Sequence, residues 1–357
     1  MVGNPPRPTA ISNLALTYRC NSRCSTCGIW RMGEPQRREL TAGELHGFFG
    51  ENRGLLSGVK TIQLTGGEPF LREDIAEVAE AIWSHIPRAF VWVATNGSLP
   101  DTIRGRVEEM LEMTPTGGLG ITISLDGLGE THDAQRGVPG SYALAVETLT
   151  GLSRLREEHP RLGLSTGMTI TPRNQGEIVP VMRVAEELGA DFTVRPANVS
   201  EAYYRNAPAD GEWDTIRLAA SLRAVAAHHV RRRGLPRATP AIRFLRGIMD
   251  YIASPRRMLS CSAGSSSFFL DPCGYVYPCL FIGRALGNIR DSPFADIWAS
   301  EAAEAARLKV EAGTCPGCWV ECETMREIVR DKTGLLRTSL AAAISGSTMG
   351  IGVSRSS

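Results

Sequence analysis

The sequence predicts an α/β fold with a parallel sheet, followed by a smaller α+β region that is rich in cysteine. Short apolar segments that suit strands alternate with longer segments that carry apolar residues at helical spacing. Strands are expected near residues 13–18, 60–65, 90–95, 120–125, 164–171 and 191–195. This alternation is typical of right-handed βαβ units. Beyond residue 260 the alternation stops, and six of the nine cysteines lie there.

The length of 357 residues exceeds the size at which a single core usually stops growing, so more than one domain is expected. We place the parallel-sheet domain at residues 10–200 and a helical bridge at 201–258. The cysteine-rich domain is placed at 259–335, and a tail of small residues at 336–357.

The first indication of a site is a run of three cysteines directly after the first strand. Cys20, Cys24 and Cys27 form a CxxxCxxC pattern. Three thiolates on one tight loop can hold three irons of a [4Fe–4S] cluster and leave the fourth iron open to a ligand other than protein. Zinc is the alternative, but it needs four ligands, and the next eighteen residues contain no Cys or His.

A second motif, IQLTGGEPFL, follows about forty residues later. Gly66 and Gly67 let a ligand lie against bare backbone, Glu68 can accept hydrogen bonds from an ammonium group, and Pro69 is expected to end the strand. Together the two motifs resemble the radical S-adenosylmethionine (radical SAM) superfamily. The resemblance implies a partial (β/α)₆ radical SAM barrel, a catalytic [4Fe–4S] cluster, and SAM held by its methionyl end.

Three later segments, VWVATNG, GITISLDG and HDAQRGVPGSY, look like further strand ends of such a barrel. The resemblance implies that Asn96, Ser124, Asp126 and Arg136 contact SAM, with Arg136 forming a bidentate fork on the methionyl carboxylate. The simpler alternatives are a turn-forming Asp–Gly pair at Asp126 and a surface cation at Arg136. In one departure, Thr26 stands where this family often has an aromatic residue.

The late cysteines are Cys261, Cys273, Cys279, Cys315, Cys318 and Cys322. With a glycine turn between the second and third and a CxxC pair later, they resemble the SPASM/twitch extension of radical SAM enzymes. That resemblance implies a second, auxiliary [4Fe–4S] cluster in a small α+β twitch-type domain. Cys261, Cys279, Cys315 and Cys318 best match the ligand spacing, and Cys322 competes with Cys315 or Cys318.

Cys273 lies in the hairpin turn, where these extensions often carry Asp. It is either a small buried residue, an alternative ligand, or a catalytic thiol that returns a hydrogen atom to a substrate radical. The last interpretation makes the protein an epimerase, which is our preferred reaction. The alternatives are oxidation of a secondary alcohol with the auxiliary cluster as electron acceptor, modification of a ribosomal peptide, and a non-catalytic Fe–S electron carrier.

Composition and chain ends bear on substrate and partners. With 39 basic and 38 acidic residues, no nucleic acid partner is indicated. No segment has the apolar length of a signal peptide or membrane span, which favours a cytoplasmic protein. The short segment before the first strand favours a small polar, sugar-like substrate over a leader peptide. The family resemblance implies flavodoxin or ferredoxin as reductant. Tyr203, Tyr204 and Arg205 either contact substrate or pack on the barrel rim.

Overall fold

The computed structural model describes residues 6–32, 37–113, 116–200 and 203–344. The last thirteen residues of the predicted tail, 345–357, lie outside the described residues. Six strands appear where alternation predicted them, and they pair in parallel in the order β6-β5-β4-β3-β2-β1. Their bounds are β1 Ala10–Ala15, β2 Thr61–Thr65, β3 Phe90–Thr95, β4 Gly118–Ser124, β5 Gly163–Ile170 and β6 Asp191–Pro196. The α/β fold with a partial barrel is therefore confirmed.

Helices connect the strands and continue after them. Those of the barrel are α1 Ala42–Glu51, α2 Ile75–His85, α3 Pro100–Met113, α4 Gly129–Arg136, α5 Ser141–Glu158 and α6 Ile178–Glu187. The later helices are α7 Thr215–Arg233, α8 Leu235–Ala253, α9 Phe294–Ala299, α10 Glu301–Glu311, α11 Glu321–Arg330 and α12 Lys332–Ile344. In the described part of the chain, none of them is both long and apolar enough to cross a membrane.

The cysteine-rich region is joined to the barrel through its sheet. The predicted hairpin is present as β7 Ser267–Leu270 and β8 Tyr275–Tyr277, followed by the short β9 Gly287–Asn288. Strand β7 pairs in parallel with β1. Strand β8 then pairs antiparallel with β7, and β9 pairs antiparallel with β8. One nine-stranded sheet therefore runs through both regions. Two of the late cysteines, Cys273 and Cys279, directly adjoin strands of the sheet that also carries the first cysteine loop after β1.

Trp319, just before α11, fixes the late region to the bridge helices. Its indole stacks on Phe244 of α8 with ring centroids 5.5 Å apart. The indole N–H donates to the Phe244 carbonyl oxygen at 2.9 Å. The Trp319 backbone N–H donates to the Asn198 side-chain oxygen at 2.9 Å, just after β6. Trp319 thus contacts the bridge through its side chain and the end of the barrel through its backbone.

Gly247 of α8 leaves the space that the Trp319 indole fills, since a Cβ there would lie 1.9 Å from an indole carbon. We expect Gly247→Ala to lower the free energy of unfolding by about 1–3 kcal/mol because the core becomes overpacked. The control is Gly105→Ala on α3, where no atom lies within 4 Å of the new Cβ. It should raise stability by up to about 1 kcal/mol because alanine favours helix. Urea denaturation measures both, and equal effects would contradict the packing argument.

Candidate functional site

The cysteine loop is held against the GGEP segment by backbone contacts. The Gly67 N–H donates to the Thr17 carbonyl oxygen at 2.7 Å, and the Glu68 N–H donates to that of Arg19 at 2.9 Å. A Cβ would lie 2.4 Å from the Thr17 oxygen if placed on Gly66 and 2.1 Å from the Arg19 oxygen if placed on Gly67. Gly66 also has a φ of +131°, which favours glycine. The two glycines therefore make room for the loop backbone, whereas the sequence analysis expected them to make room for a ligand.

The three thiols of this loop line a cavity of about 160 Å³ at the carboxyl ends of the strands. Of the predicted cofactor contacts, the lining contains Gly66, Gly67, Asn96, Ser124, Asp126 and Arg136. Glu68 and Pro69 are not among the described residues that line it. Pro69 begins a short 3₁₀ turn, and β2 has already ended at Thr65, so Pro69 does not end the strand as predicted.

Glu68 is buried, and both of its carboxylate oxygens accept hydrogen bonds from protein donors. One oxygen accepts from the Thr95 hydroxyl at 2.8 Å and the Phe70 N–H at 3.2 Å, and the other accepts from the Asn96 N–H at 2.7 Å. Burial raises the pKa of Glu68 to about 7, although these donors favour the anion. The carboxylate ties the end of β2 to the end of β3. This arrangement does not support the expected contact with an ammonium group.

Arg136 and Asp126 form a buried ion pair with a nitrogen–oxygen distance of 2.7 Å. A second Arg136 nitrogen lies 3.7 Å from the Cys24 sulfur, and its Nε has no partner among the described residues. Asp126 also accepts from the Thr169 N–H at 2.8 Å, and its own N–H donates to His132 Nδ1 at 3.0 Å. One terminal nitrogen of Arg136 is therefore paired with Asp126, and the other lies near the Cys24 sulfur. The Nε–H has no partner among the described residues and can donate to an anionic ligand.

Asn96 and Trp30 shape the same cavity near the cysteine loop. The Asn96 side-chain amide donates to the Asn21 side-chain oxygen at 2.7 Å, which links the end of β3 to the loop. Trp30 lines the cavity, and its indole N–H donates to the Cys27 carbonyl oxygen at 2.9 Å. An aromatic side chain is therefore present beside the loop although Thr26 is not aromatic. Its position three residues after Cys27 was the signal that sequence reasoning missed.

The wall of the cavity beyond the cysteine loop is formed by Arg195, Tyr203 and Tyr204. Arg195 belongs to β6, and its side chain lies 3.6 Å from the Glu321 carboxylate. Sequence reasoning had not selected Arg195, although a cation at the end of a buried strand was a visible signal. Tyr203 and Tyr204 line this cavity, a position that agrees with the alternative in which they contact substrate rather than with packing on the barrel rim. Arg205 lines a different cavity, whose lining also includes Cys24 and Cys27.

The late cysteines come together at a second cavity, which is lined by Cys261, Cys279, Cys315 and Cys318. Cys322 is not in that lining, and its sulfur accepts a hydrogen bond from the Asn13 side-chain amide of β1 at 3.7 Å. Four thiols at one cavity fit the donor set of a [4Fe–4S] cluster, as three thiols and an open position do at the first. One cluster of packed apolar side chains includes Tyr203 and Tyr204 as well as cysteines from both sites.

Cys273 lies away from both cavities. It is 4% exposed, and its thiol donates to the Arg37 carbonyl oxygen at 3.2 Å. Its backbone N–H donates to Asp271, which also accepts from the Tyr275 N–H and the Tyr18 hydroxyl. Cys273 is thus part of the turn between β7 and β8. The structure does not bring it to the cavity where a substrate radical would form, so it gives no support to a role as hydrogen donor.

Comparison with known proteins agrees with this site. A profile of the radical SAM superfamily matches residues 14–185, and a profile of the SPASM iron–sulfur cluster-binding domain matches residues 261–322. The AdoMet-dependent heme synthase of Methanosarcina barkeri is 30% identical over 84% of this chain and 86% of the relative. The pre-heme d1 synthase of Dinoroseobacter shibae is 27% identical over 88% of this chain and 79% of the relative.

A maturation protein and two solved structures are also similar to the chain. SkfB of Bacillus subtilis, a sporulation killing factor maturation protein, is 26% identical over 85% of this chain and 67% of the relative. Among solved structures, anSMEcpe with bound AdoMet has a TM-score of 0.62 at 14% identity over 95% of this chain and 99% of that chain. SuiB of Streptococcus suis has a TM-score of 0.59 at 16% identity, covering 83% of this chain and 66% of SuiB, just under two thirds.

The protein is a radical SAM enzyme. The chain belongs to the radical SAM superfamily, and within it to the members that carry the SPASM extension. Its cofactors are therefore a catalytic [4Fe–4S] cluster, SAM and an auxiliary iron–sulfur site. The zinc alternative at the first loop and the non-catalytic carrier are set aside on this ground. The residues that line the two cavities fit these groups in donor type.

His132 beneath the Asp126–Arg136 pair is fully buried, and burial, aided by Arg136, lowers its pKa from 6.5 to about 4. Between these two pH values, His132 is therefore protonated in the unfolded chain and neutral in the folded chain. We expect stability to be intact above pH 6.5 and to fall toward pH 4, by about 3 kcal/mol from this residue. His132→Asn, which keeps an acceptor for the Asp126 N–H, should flatten that pH dependence in urea unfolding. The exposed His159→Asn should not, and an unchanged slope in His132→Asn would contradict the assignment.

We propose that Cys261, Cys279, Cys315 and Cys318 hold the auxiliary cluster and that Cys322 is the spare thiol. Cys318→Ser should lose the iron and sulfide of one cluster after anaerobic reconstitution, because a ligand at the cavity is gone. Cys322→Ser should retain both clusters and their visible absorption. Equal loss of iron in the two variants would show that Cys322 is a ligand.

Proposed function

We propose that this radical SAM enzyme oxidises a large, mainly apolar substrate through a carboxylate-bearing side chain, with a tetrapyrrole as the favoured class. The observation that carries the proposal is a basic side chain at the catalytic cavity combined with a larger apolar cavity that adjoins it. Epimerisation of a sugar-like substrate, preferred from the sequence, is not retained.

The chain's own residues arrange the cofactors. Cys20, Cys24 and Cys27 would hold the catalytic cluster, while Gly66, Gly67 and the Arg136 Nε–H offer backbone and one donor to the methionyl end of SAM. When bound, these groups would supply a 5′-deoxyadenosyl radical able to take a hydrogen atom and, at the auxiliary cluster, an acceptor for the electron of the substrate radical.

A further cavity of about 840 Å³, distinct from the one at the late cysteines, adjoins the catalytic cavity. The linings of these two adjoining cavities share Pro196 and Ala197. Its walls are mainly apolar and include Trp213, Tyr251 and Phe281 together with several prolines. This volume suits a large organic ligand rather than a single sugar. Apolar and aromatic walls favour a flat or bulky apolar body over a molecule covered with hydroxyl groups, whose polar groups would lose hydration without partners.

Arg195 gives this site a fixed positive charge. It lies at the end of β6, directly before Pro196, where the two cavities meet. A guanidinium nitrogen of Arg195 lies 3.6 Å from a carboxylate oxygen of Glu321. At this distance the guanidinium N–H groups can still donate to a second carboxylate. A planar guanidinium binds carboxylates through paired N–H groups, so a carboxylate side chain of the substrate is the natural ligand.

The names of relatives agree with this substrate class. Two heme-related synthases from Methanosarcina barkeri and Dinoroseobacter shibae are similar to the chain over most of its length. Tetrapyrroles of this kind combine a flat apolar ring with carboxylate side chains. Modification of a ribosomal peptide is the second candidate, supported by the similarity to SkfB and by the proline and aromatic lining.

Oxidation is favoured over epimerisation by where the thiols lie. Three of the four auxiliary thiols, Cys261, Cys279 and Cys318, pack in the same apolar cluster as Tyr203 and Tyr204 of the catalytic cavity, so an electron acceptor would lie close to the substrate radical. Cys273, the thiol required for epimerisation, is bonded to the Arg37 carbonyl oxygen in a turn. A two-electron oxidation also balances, because the substrate gives up a hydrogen atom, one electron, and either a proton or carbon dioxide.

The proposal is tested with anaerobically reconstituted, reduced protein and two substrate panels. One panel contains iron porphyrins with propionate side chains, and the other contains linear peptides. The expected result is a porphyrin-dependent rise in 5′-deoxyadenosine, with a product whose mass matches loss of two hydrogens or of carbon dioxide together with two hydrogens. Turnover of peptides alone would overturn the tetrapyrrole assignment, and a product of unchanged mass with inverted configuration would overturn oxidation.

Substitution of Arg195 tests the carboxylate contact. Arg195→Gln removes the charge, and we expect KM for the carboxylate substrate to rise at least about tenfold, about 1.4 kcal/mol of binding. Arg195→Lys keeps the charge but not the paired N–H groups and should give a smaller rise. SAM cleavage without substrate should be little changed in both variants. Unchanged KM in Arg195→Gln would show that the substrate binds elsewhere.

A further inference from the structure

Two acidic side chains border the cavity at the late cysteines, and no step of the proposed reaction uses them. Glu323 and Glu327 lie four residues apart on α11 and therefore on one face of that helix. Both line the cavity together with the four thiols, and the two residues are only 5% and 7% exposed. Like charges at this spacing destabilise a helix, and burial of charge adds to the cost. Holding both carboxylates here therefore requires compensating partners.

Glu327 connects α11 to the segment that carries Cys261. One of its carboxylate oxygens accepts hydrogen bonds from the Ser262 hydroxyl at 2.5 Å and from Arg330 at 3.1 Å. The other oxygen accepts from the Ser260 hydroxyl at 3.3 Å. Ser260 and Ser262 are the two neighbours of Cys261 in the chain. The carboxylate is thus bonded to both residues that flank a proposed cluster ligand.

Glu323 is held in a similar way one turn earlier on α11. Its two carboxylate oxygens accept from the Ser267 hydroxyl at 3.3 and 3.4 Å, and the carboxylate forms an ion pair with Arg326. Neither Arg326 nor Arg330 is among the described residues that line the cavity, and the Arg330 side chain is half-exposed. The negative end of each ion pair is therefore the end nearer to the thiols.

The two cysteine sites differ in the balance of charge around them. At the late cysteines, Arg257 also lines the cavity, but its guanidinium donates to two backbone carbonyl oxygens at the end of α10. The described lining thus contains two carboxylates and one guanidinium. In the described lining of the catalytic cavity the balance is reversed, since Arg136 and Arg195 accompany one acid, Asp126.

Charge near an iron–sulfur cluster shifts its reduction potential, because reduction adds an electron to the cluster and a negative neighbour opposes that addition. The effect is strong for buried carboxylates, since the low dielectric of the interior and the absence of mobile ions leave their charge weakly screened. Residues beyond the ligands commonly tune a metal site in this way.

We propose that Glu323 and Glu327 hold the reduction potential of the auxiliary cluster low. In the proposed oxidation, a low potential would keep this cluster oxidised, and so able to accept an electron, while a reductant fills the catalytic cluster. The proposal requires an auxiliary cluster in the cavity at the late cysteines. It requires neither a tetrapyrrole substrate nor oxidation as the reaction.

The test uses the full chain with both clusters reconstituted. Glu323→Gln and Glu327→Gln each remove one charge but keep an acceptor oxygen for the serine hydroxyls. The matched control is Glu304→Gln on α10. Glu304 also pairs with an arginine three residues later, Arg307, but its side chain is 56% exposed and it is not among the described residues that line either cysteine site. Iron and sulfide content and circular dichroism establish that each protein is folded and loaded.

Reduction potentials are measured by redox titration followed by electron paramagnetic resonance. SAM binds at the open iron of the catalytic cluster, so the signal that SAM perturbs is assigned to that cluster and the other signal to the auxiliary cluster. In each Gln variant the reduction equilibrium of the auxiliary cluster should move about tenfold toward the reduced form, which is about 59 mV for one electron. The potential of the catalytic cluster, and both potentials in Glu304→Gln, should stay unchanged. High salt should not remove the shift, because buried charges are weakly screened.

Glu323→Asp separates the effect of charge from that of structure. It keeps the negative charge on a shorter side chain, so the auxiliary potential should stay close to that of the unaltered protein. The proposal is wrong if both Gln variants keep the original potential, if Glu304→Gln shifts equally, or if Glu323→Asp shifts as far as Glu323→Gln.

Loss of one cluster's iron from both Gln variants would also contradict the proposal, since the two side chains would then hold the ligands in place rather than set the potential. All of these readouts are taken without substrate. Failure of the substrate or reaction assigned above would therefore be seen separately.

Discussion

The close approach of the cysteine loop to the GGEP segment is the constraint on which the site depends. Backbone hydrogen bonds from Gly67 and Glu68 to the carbonyls of Thr17 and Arg19 fix where the loop leaves β1. Only residues without a Cβ allow that approach. Glu68 then links the same segment to β3 through Asn96, whose side chain returns to the loop at Asn21. The thiols are thus positioned by a closed set of contacts among three strand ends.

The sequence predicted the barrel well because its strands and helices have different apolar periods. All six barrel strands lie within a few residues of their predicted positions. Helix α4, which carries Arg136, was missed because its short sequence GETHDAQR is polar and has no apolar face to read. The pairing of β7 with β1 was not predicted either, since a parallel pair between strands some 250 residues apart leaves no local signal.

The site was predictable where spacing carries the chemistry. Three cysteines within eight residues identify a cluster loop, and strand ends can be read from GGEP and the later motifs. Contacts between side chains distant in sequence could not be read in the same way. Asp126 pairs with Arg136, Glu68 bonds to β3, and Arg195 faces the cavity because the barrel curves, none of which is visible in a linear pattern. The position of Cys273 in the sequence suggested a catalytic thiol, but the structure places this residue in the turn between β7 and β8.

The shared sheet also orders the two cysteine sites relative to the flow of electrons. The catalytic loop follows β1, while β7 beside it leads into the hairpin that ends near Cys279. Cys261, Cys279 and Cys318 pack in the same apolar cluster as Tyr203 and Tyr204, which line the catalytic cavity. Because one sheet joins the two cysteine sites, an electron acceptor held by the late cysteines would keep a fixed position relative to the catalytic cavity. A fixed acceptor near the substrate suits an oxidation, since electron transfer requires close approach.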